Sequence, residues 1–269
     1  MSRKTVFIIS QDEPFYIPKT IRYVLENQHS FEVIGATCLK PHRKNKSMKS
    51  WLLERTKIYT YGELFIVLRA MLTIKFLKRN KPWYSVRKLY EHFGIHHVET
   101  ENINDDAYLD QIEALKPDYI ISISPPQLFE ERLLSIAKNH CLNAHGTLLP
   151  SHRGVFGSWW MIYEGDKESG ATIHTMELRL DAGEIVFQEA FEVLKADTQY
   201  SLASKTKAML VKGIVKIMDN ELEFFPTTYP ESYHKAPTKE QGKDFHQKGN
   251  KIITRANRKL VLAEKFSFE

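Results

Sequence analysis

The feature that most limits what this chain can fold into is the alternation of β-branched apolar runs with helical patterns through its first half. TVFIIS (5–10) and FEVIGATCL (31–39) read as strands, and Ile17, Ile21, Val24 and Leu25 between them recur at helical spacing. Such alternation marks βαβ units and a mostly parallel sheet, so the expected class is α/β with a Rossmann-like order. Further strands are expected at HHVET (96–100), DYIISIS (118–124), CLNAH (141–145), ATIHTM (171–176) and IVFQEAFEV (185–193). Helices at about 105–115, 130–138 and 200–219 would cover the sheet faces.

The loop after the first strand, QDEPFYIP, contains no glycine, so no GxGxxG cradle for a dinucleotide is expected there. Gln11, Asp12 and Glu13 stand at that strand's carboxyl end, where they face either a ligand crevice or solvent. Residues 45–82 exceed an ordinary βα connection and carry YGELFIVLRAMLTIKFL (61–77), interrupted by Glu63, Arg69 and Lys75. Its uninterrupted apolar runs fall short of the roughly 18–20 residues a span requires. A buried or partner-packing helix is expected, with an interfacial membrane helix as the alternative. Two basic groups, Lys40, His42, Arg43, Lys44, Lys46 and Lys49, then Lys75, Lys78, Arg79 and Lys81, read as solvated faces rather than anion sites.

Composition narrows the function classes. With 42% hydrophobic and 26% charged residues the chain is neither disordered nor fibrous, and a net charge of +5 over 269 residues gives no reason to expect a nucleic-acid partner. Cys38 and Cys141 are far apart with no CxxC pair, which suggests neither a disulfide framework nor a structural zinc site and fits a cytoplasmic setting. MSRKTVFIIS lacks the long apolar stretch of an export signal, and membrane association is not expected. After about residue 220 the chain turns rich in Pro, Tyr and Lys, so the expected organisation is a catalytic domain at 1–219 and a small C-terminal extension at 220–269.

The chemistry concentrates in the second half. Asn143 and His145 alternate on CLNAH and therefore project from one face of an extended strand. They precede GTLLPSHRG, at a strand end where open α/β sheets place their ligands. Asp181 arrives from RLDAG, with Gly183 permitting a tight turn that brings the carboxylate back over the first strand.

NAHGTLLPSHRG (143–154), followed by WWMIYEGDKESGATIHTMELRLDAGEIVFQ (159–188), resembles the folate-dependent formyltransferases. That family includes methionyl-tRNA, glycinamide ribonucleotide and sugar-nucleotide N-formyltransferases. Its pattern joins Asn-x-His, a Leu-Leu-Pro turn, an Arg-Gly pair and a Gly-x-Thr-x-His stretch leading into Asp-x-Gly. Gly170, Thr172, His174, Asp181 and Gly183 match the last part in order. The resemblance implies a Rossmann-like catalytic domain, 10-formyltetrahydrofolate as the donor, an amine acceptor and no metal. It also implies catalytic roles for Asn143, His145 and Asp181. Attack on the formyl carbon develops an oxyanion, which Asn143 and a protonated His145 would stabilise. Asp181 would raise the His145 pKa by proximity. His145 or an Asp181-linked water takes the amine proton, and the choice between them stays open.

By the same resemblance the pterin ring lies between SISPPQLF (122–129) and ELRLDAG (177–183). Ile123, Pro126, Gln127, Leu128, Leu178 and Leu180 are the expected contacts. On the acceptor side Arg153 would meet a diphosphate, Trp159 or Trp160 would stack on a base while the other joins the core, and Tyr233 would cover the sugar. The chain departs from the family pattern at Gly157, where many relatives have proline, and at His152, where an aromatic is common. About fifty residues remain after 219, too few for the tRNA-gripping barrel of the methionyl-tRNA enzymes, and the tail resembles that of the sugar-modifying group. The expected acceptor is therefore a nucleotide-linked amino sugar. The alternatives are a non-nucleotide amine or methionyl-tRNA, water in a formyltetrahydrofolate hydrolase, or a non-catalytic assembly role. A second copy of the chain is a candidate partner.

Overall fold

A computed structural model describes residues 3–40 and 55–266. The basic residues expected as a solvated face at 42–49, and the first part of the insertion, lie outside the described residues. Six strands form one sheet in the order β2 (Phe31–Leu39), β1 (Lys4–Gln11), β3 (Tyr119–Ile123), β4 (His140–His145), β6 (Glu168–Thr175) and β7 (Ile185–Glu192). β2, β1, β3 and β4 run parallel, whereas β6 and β7 are antiparallel additions at the edge. The sheet is thus mixed but mostly parallel. HHVET does not extend it as a full strand. His97 makes a single bridge to Ala36, and Val98 donates its N–H to the Ala36 carbonyl.

The parallel strands are apolar on both sides because helices cover both faces. On one face Val6, Ile8 and Ile121 pack with α1 (Ile17–Glu26), α3 (Val86–Phe93) and α7 (Gln199–Asp219). On the other, Phe7, Ile9 and Ile120 pack with α4 (Asp106–Leu115) and α5 (Glu131–Ile136).

A third apolar cluster joins segments that sequence treats separately. The insertion helix α2 (Tyr61–Leu77) supplies Leu64, Val67, Ala70 and Ile74. The short α6 (Gly157–Glu164) supplies Trp159 and Trp160, and the tail supplies Phe245 from α8 (Lys239–Gln247), Val261 from α9 (Asn257–Leu262), and Ile252 and Ile253 from the segment between these helices. Glu63 ties them together. Thr60 caps α2 by accepting from the Glu63 N–H at 3.2 Å, and Glu63 Oε2 accepts the Thr60 N–H at 2.9 Å. Its other carboxylate oxygen accepts the Ile252 N–H at 2.7 Å. A capping box of this kind stabilises a helix start by about 1 kcal/mol. Here the same carboxylate also anchors the tail. The buried or partner-packing helix expected from the sequence is buried on one face, and the opposite face is exposed among the described residues.

Candidate active site

Asn143 and His145 leave the carboxyl end of β4 on the same side, and Asp181 comes over them from the loop between β6 and β7. The His145 Nδ1 to Asp181 Oδ1 distance is 3.5 Å. Asn143 Nδ2 donates to the same oxygen at a long 3.4 Å and to His174 Nε2 at 3.1 Å. Its orientation is set by Ser122, whose hydroxyl donates to Asn143 Oδ1 at 2.9 Å. The three residues singled out from sequence thus meet at one point, together with His174. Asp181 adopts a left-handed backbone conformation, φ +52°, which short polar side chains tolerate best. Gly183 is required just beyond it, since a Cβ there would lie 1.8 Å from the Thr175 carbonyl oxygen. Ser124, His152 and Phe156 also have positive φ, at 53°, 54° and 63°, so strained backbone gathers around this cluster.

The two histidines are electrically different. His174 donates from Nδ1 to the Thr175 carbonyl at 2.7 Å, which leaves Nε2 as the acceptor for Asn143. Burial pushes its pKa down to about 4, with the neighbouring His145 adding to the effect. His145 has an acceptor beside each nitrogen, Asp181 on Nδ1 and the His152 carbonyl on Nε2 at 3.3 Å. Burial nevertheless lowers its pKa below the ordinary imidazole value, and the carboxylate of Asp181 only opposes that shift. Asp181 raises the His145 pKa as its proximity implies, but desolvation outweighs that attraction, so the protonated His145 expected as a donor is not the resting form. The resting ring is neutral, with two acceptors ready to stabilise an incoming proton.

These residues line one side of a cavity of about 670 Å³. Pro126, Gln127, Leu128, Leu178 and Leu180 line it as well, and Leu128 and Leu178 are 66% and 70% exposed. Ile123 does not. It alternates with Ser122 and Ser124, which face the cavity, and is fully buried in the core on the opposite side. Gln127 is partly occupied, since it accepts from the Ile103 N–H at 2.9 Å and donates to the Glu101 carbonyl at 2.7 Å.

The expected acceptor contacts are mostly placed elsewhere. Arg153 is buried and turned away from the cavity, donating from Nε to the Leu180 carbonyl at 3.0 Å and pairing with Glu231. It holds the 177–181 loop and the tail. Trp159 is fully buried, stacked between Tyr163 and Phe245 at 4.8 Å from each. Trp160 donates from Nε1 to the Lys235 carbonyl at 3.0 Å and stacks on His234 at 4.4 Å. Neither indole reaches the cavity, because the tail covers α6. Tyr233 is 54% exposed on β8 (Tyr233–His234), outside the cavity, and pairs there with β5 (Arg153–Gly154).

His152 and His234 stack at 4.9 Å beside Glu164, with His152 Nε2 on Asp166 at 2.6 Å. The ligand atoms of His152, Glu164 and His234 come within 4.8 Å of one another. Rings only 22° from parallel direct their lone pairs side by side rather than toward one point, so the cluster reads as a clamp between catalytic loop and tail.

The cavity adds residues the sequence did not single out. Lys207 of α7 reaches it and donates to Ser124 Oγ at 2.8 Å, and burial pushes its pKa down to about 8. Arg55, Phe156 and Ser158 line the cavity with it, and so does Gln11, one of the three residues named from the sequence at the end of β1. Asp12 and Glu13 do not. Asp12 accepts the Val86 N–H, and Glu13 accepts those of Phe15 and Tyr16.

The profile of the family described as formyl transferase matches residues 70–218, more than half of the chain and the part that carries this cluster. The chain belongs to the formyl transferase family. A methionyl-tRNA formyltransferase from Finegoldia magna is 31% identical over 165 residues, covering 59% of this chain and 52% of the relative. The formyl transferase chain described here therefore spans about half the length of that relative. Among solved structures, WlaRD, a sugar 3N-formyl transferase crystallised in the presence of dTDP and 5-N-formyl-THF, superposes with a TM-score of 0.55 at 19% identity. It covers 95% of this chain and 84% of its own. A phosphoribosylglycinamide formyltransferase from Bacillus halodurans gives 0.55 at 18% identity, covering 80% and 95%. Both likenesses concern the fold, which is that of the formyltransferases.

Proposed function

We propose that this chain transfers the formyl group of 10-formyltetrahydrofolate to a primary amine, and that the amine belongs to a nucleotide-linked amino sugar. The observation that carries the reading is the convergence of Asn143, His145 and Asp181 on one wall of the 670 Å³ cavity. The exposed Leu128 and Leu178 offer flat apolar contacts to a pterin, and Pro126 and Leu180 line the same cavity. Lys207 and Arg55 give the cavity cationic groups suited to an anionic acceptor. Phe156 supplies an aromatic surface in place of the buried tryptophans. The acceptor choice is further supported by a sugar formyltransferase of like fold that covers 95% of this chain.

In this reading the neutral amine attacks the formyl carbon, and the carbonyl oxygen takes up negative charge. The long Asn143 hydrogen bond to Asp181 is the one free to turn toward that oxygen. Collapse breaks the bond from the formyl carbon to the folate nitrogen, which takes up the proton the amine gives, releasing tetrahydrofolate and the formamide. The amine proton passes to neutral His145 or through water to Asp181.

The test is to incubate the whole chain with 10-formyltetrahydrofolate and a panel of amines, detecting formylated product by mass. Formylation of a nucleotide amino sugar is expected. Formylation confined to non-nucleotide amines would refute the acceptor. Release of formate alone would replace transferase by hydrolase.

A further inference from the structure

Helix α2 is apolar on two opposite faces. Glu63, Leu64, Val67, Ala70 and Ile74 are buried against the tail and α6. On the other side Tyr61, Phe65, Leu68, Leu72 and Phe76 follow one another at intervals of three and four residues and form a single stripe. They are 87%, 60%, 37%, 53% and 64% exposed. At about 1.5 Å per residue the stripe is roughly 22 Å long. A patch of this size and continuity is not ordinarily left to water.

The charges around it select what covers it. Arg69 and Lys75 project from the two flanks of the stripe, the guanidinium 5.9 Å from the Phe65 ring centre and the ammonium 5.6 Å from that of Phe76. Among the described residues neither is in a salt bridge. Lys78, Arg79 and Lys81 follow at the helix end, with Lys78 and Lys81 shared with Glu264. The helix's one acidic residue, Glu63, is buried and engaged. We propose that this face docks on an anionic lipid bilayer, with the helix lying in the interface plane. Large apolar side chains between cations that reach up to head groups are the arrangement an interfacial helix uses. A second copy laid antiparallel about a twofold axis at the middle of the stripe would bring the two Arg69 side chains together, like charge against like. A negatively charged bilayer matches the stripe and both flanks. Among the described residues no helix is long and apolar enough to cross the membrane, so the contact is peripheral.

The experiment is co-sedimentation of the full chain with phosphatidylcholine vesicles, with and without phosphatidylglycerol. Partitioning onto the anionic vesicles is expected, weakened about tenfold or more on neutral ones and similarly by Leu72→Glu or by the pair Arg69→Glu and Lys75→Glu. All three substituted positions are solvent-facing, and circular dichroism with an unchanged thermal midpoint verifies the fold. Absence of partitioning by the unaltered chain, or equal partitioning of every variant, overturns the proposal. A sedimentation-equilibrium dimer dispersed by Leu72→Glu without vesicle binding overturns it in favour of a second copy. None of these readouts depends on the acceptor proposed above.

Discussion

Asp181 Oδ2 accepts the Gly154 backbone N–H at 2.9 Å, while its Oδ1 faces Asn143 and His145. One carboxylate therefore fixes the loop after β4 with one oxygen and faces the proposed reaction centre with the other. Asp181→Asn keeps an acceptor for Gly154 but removes the charge, so turnover is expected to fall about 10²-fold or more with little change in thermal midpoint. Asp181→Ala is expected to lower both. Asn143→Ala and His145→Ala should each cut turnover by a similar factor in folded protein. Near-normal turnover in His145→Ala would remove the imidazole from the mechanism.

Where His145 takes the amine proton in the proposed mechanism, its lowered pKa is expected to set the acid limb of activity. Protonation from solvent removes the acceptor form of the ring, so kcat/KM is expected to fall on the acid side with an apparent pKa below the usual histidine value. Asp181 favours the imidazolium, so residual activity of Asp181→Asn should show this limb at still lower pH. A limb that moves upward in that variant would contradict the assignment.

His174 links the same cluster to stability. Its folded pKa, about 4, is depressed below an unfolded value near 6.5, so the unfolded chain binds more protons between these limits. The stabilising contribution is complete above the unfolded value and is lost as pH falls toward 4. Urea unfolding at pH 7 and pH 5 should therefore show a loss of stability that His174→Gln reduces. An identical pH dependence in the variant would assign the effect to other groups.

Lys207 offers a separate test of acceptor binding. Lys207→Gln is expected to raise the acceptor KM about tenfold or more while folate affinity changes little, as loss of a partly buried charge-assisted contact should. Acceptor binding by the unaltered chain should weaken above pH 8, as the ammonium loses its proton. Equal losses for donor and acceptor would place Lys207 in general packing instead.

Strand and helix positions were legible because their patterns are local. FEVIGATCL and the 61–77 helix appear with the boundaries the sequence suggests, and the NxH spacing alone places Asn143 and His145 on one face. What was not legible depends on which surfaces meet. Two tryptophans beside a reaction centre suggest stacking on a ligand, but burial under the tail is decided by Phe245 and His234, more than seventy residues away. Arg153 likewise has its position fixed by Leu180 and Glu231. Lys207 lies in KTKAML, within the helix expected at about 200–219, and no local feature shows that α7 brings it beneath Ser124. The charge of Asp181 acts on His145 in the direction the sequence suggests, whereas the burial that outweighs it is a tertiary quantity with no local signal.

The buried cluster that joins α2, α6 and the tail makes these three segments one inheritable unit. An exchange of the tail alone between family members would leave Trp159 without its stacking partner Phe245 and the Glu63 carboxylate without the Ile252 N–H. An exchange of the insertion alone would leave the same tail residues facing water. Altered-specificity chimaeras of this protein therefore have to carry both segments together, and substitutions at Glu63, Trp159 and Phe245 are expected to compensate one another across lineages rather than vary singly.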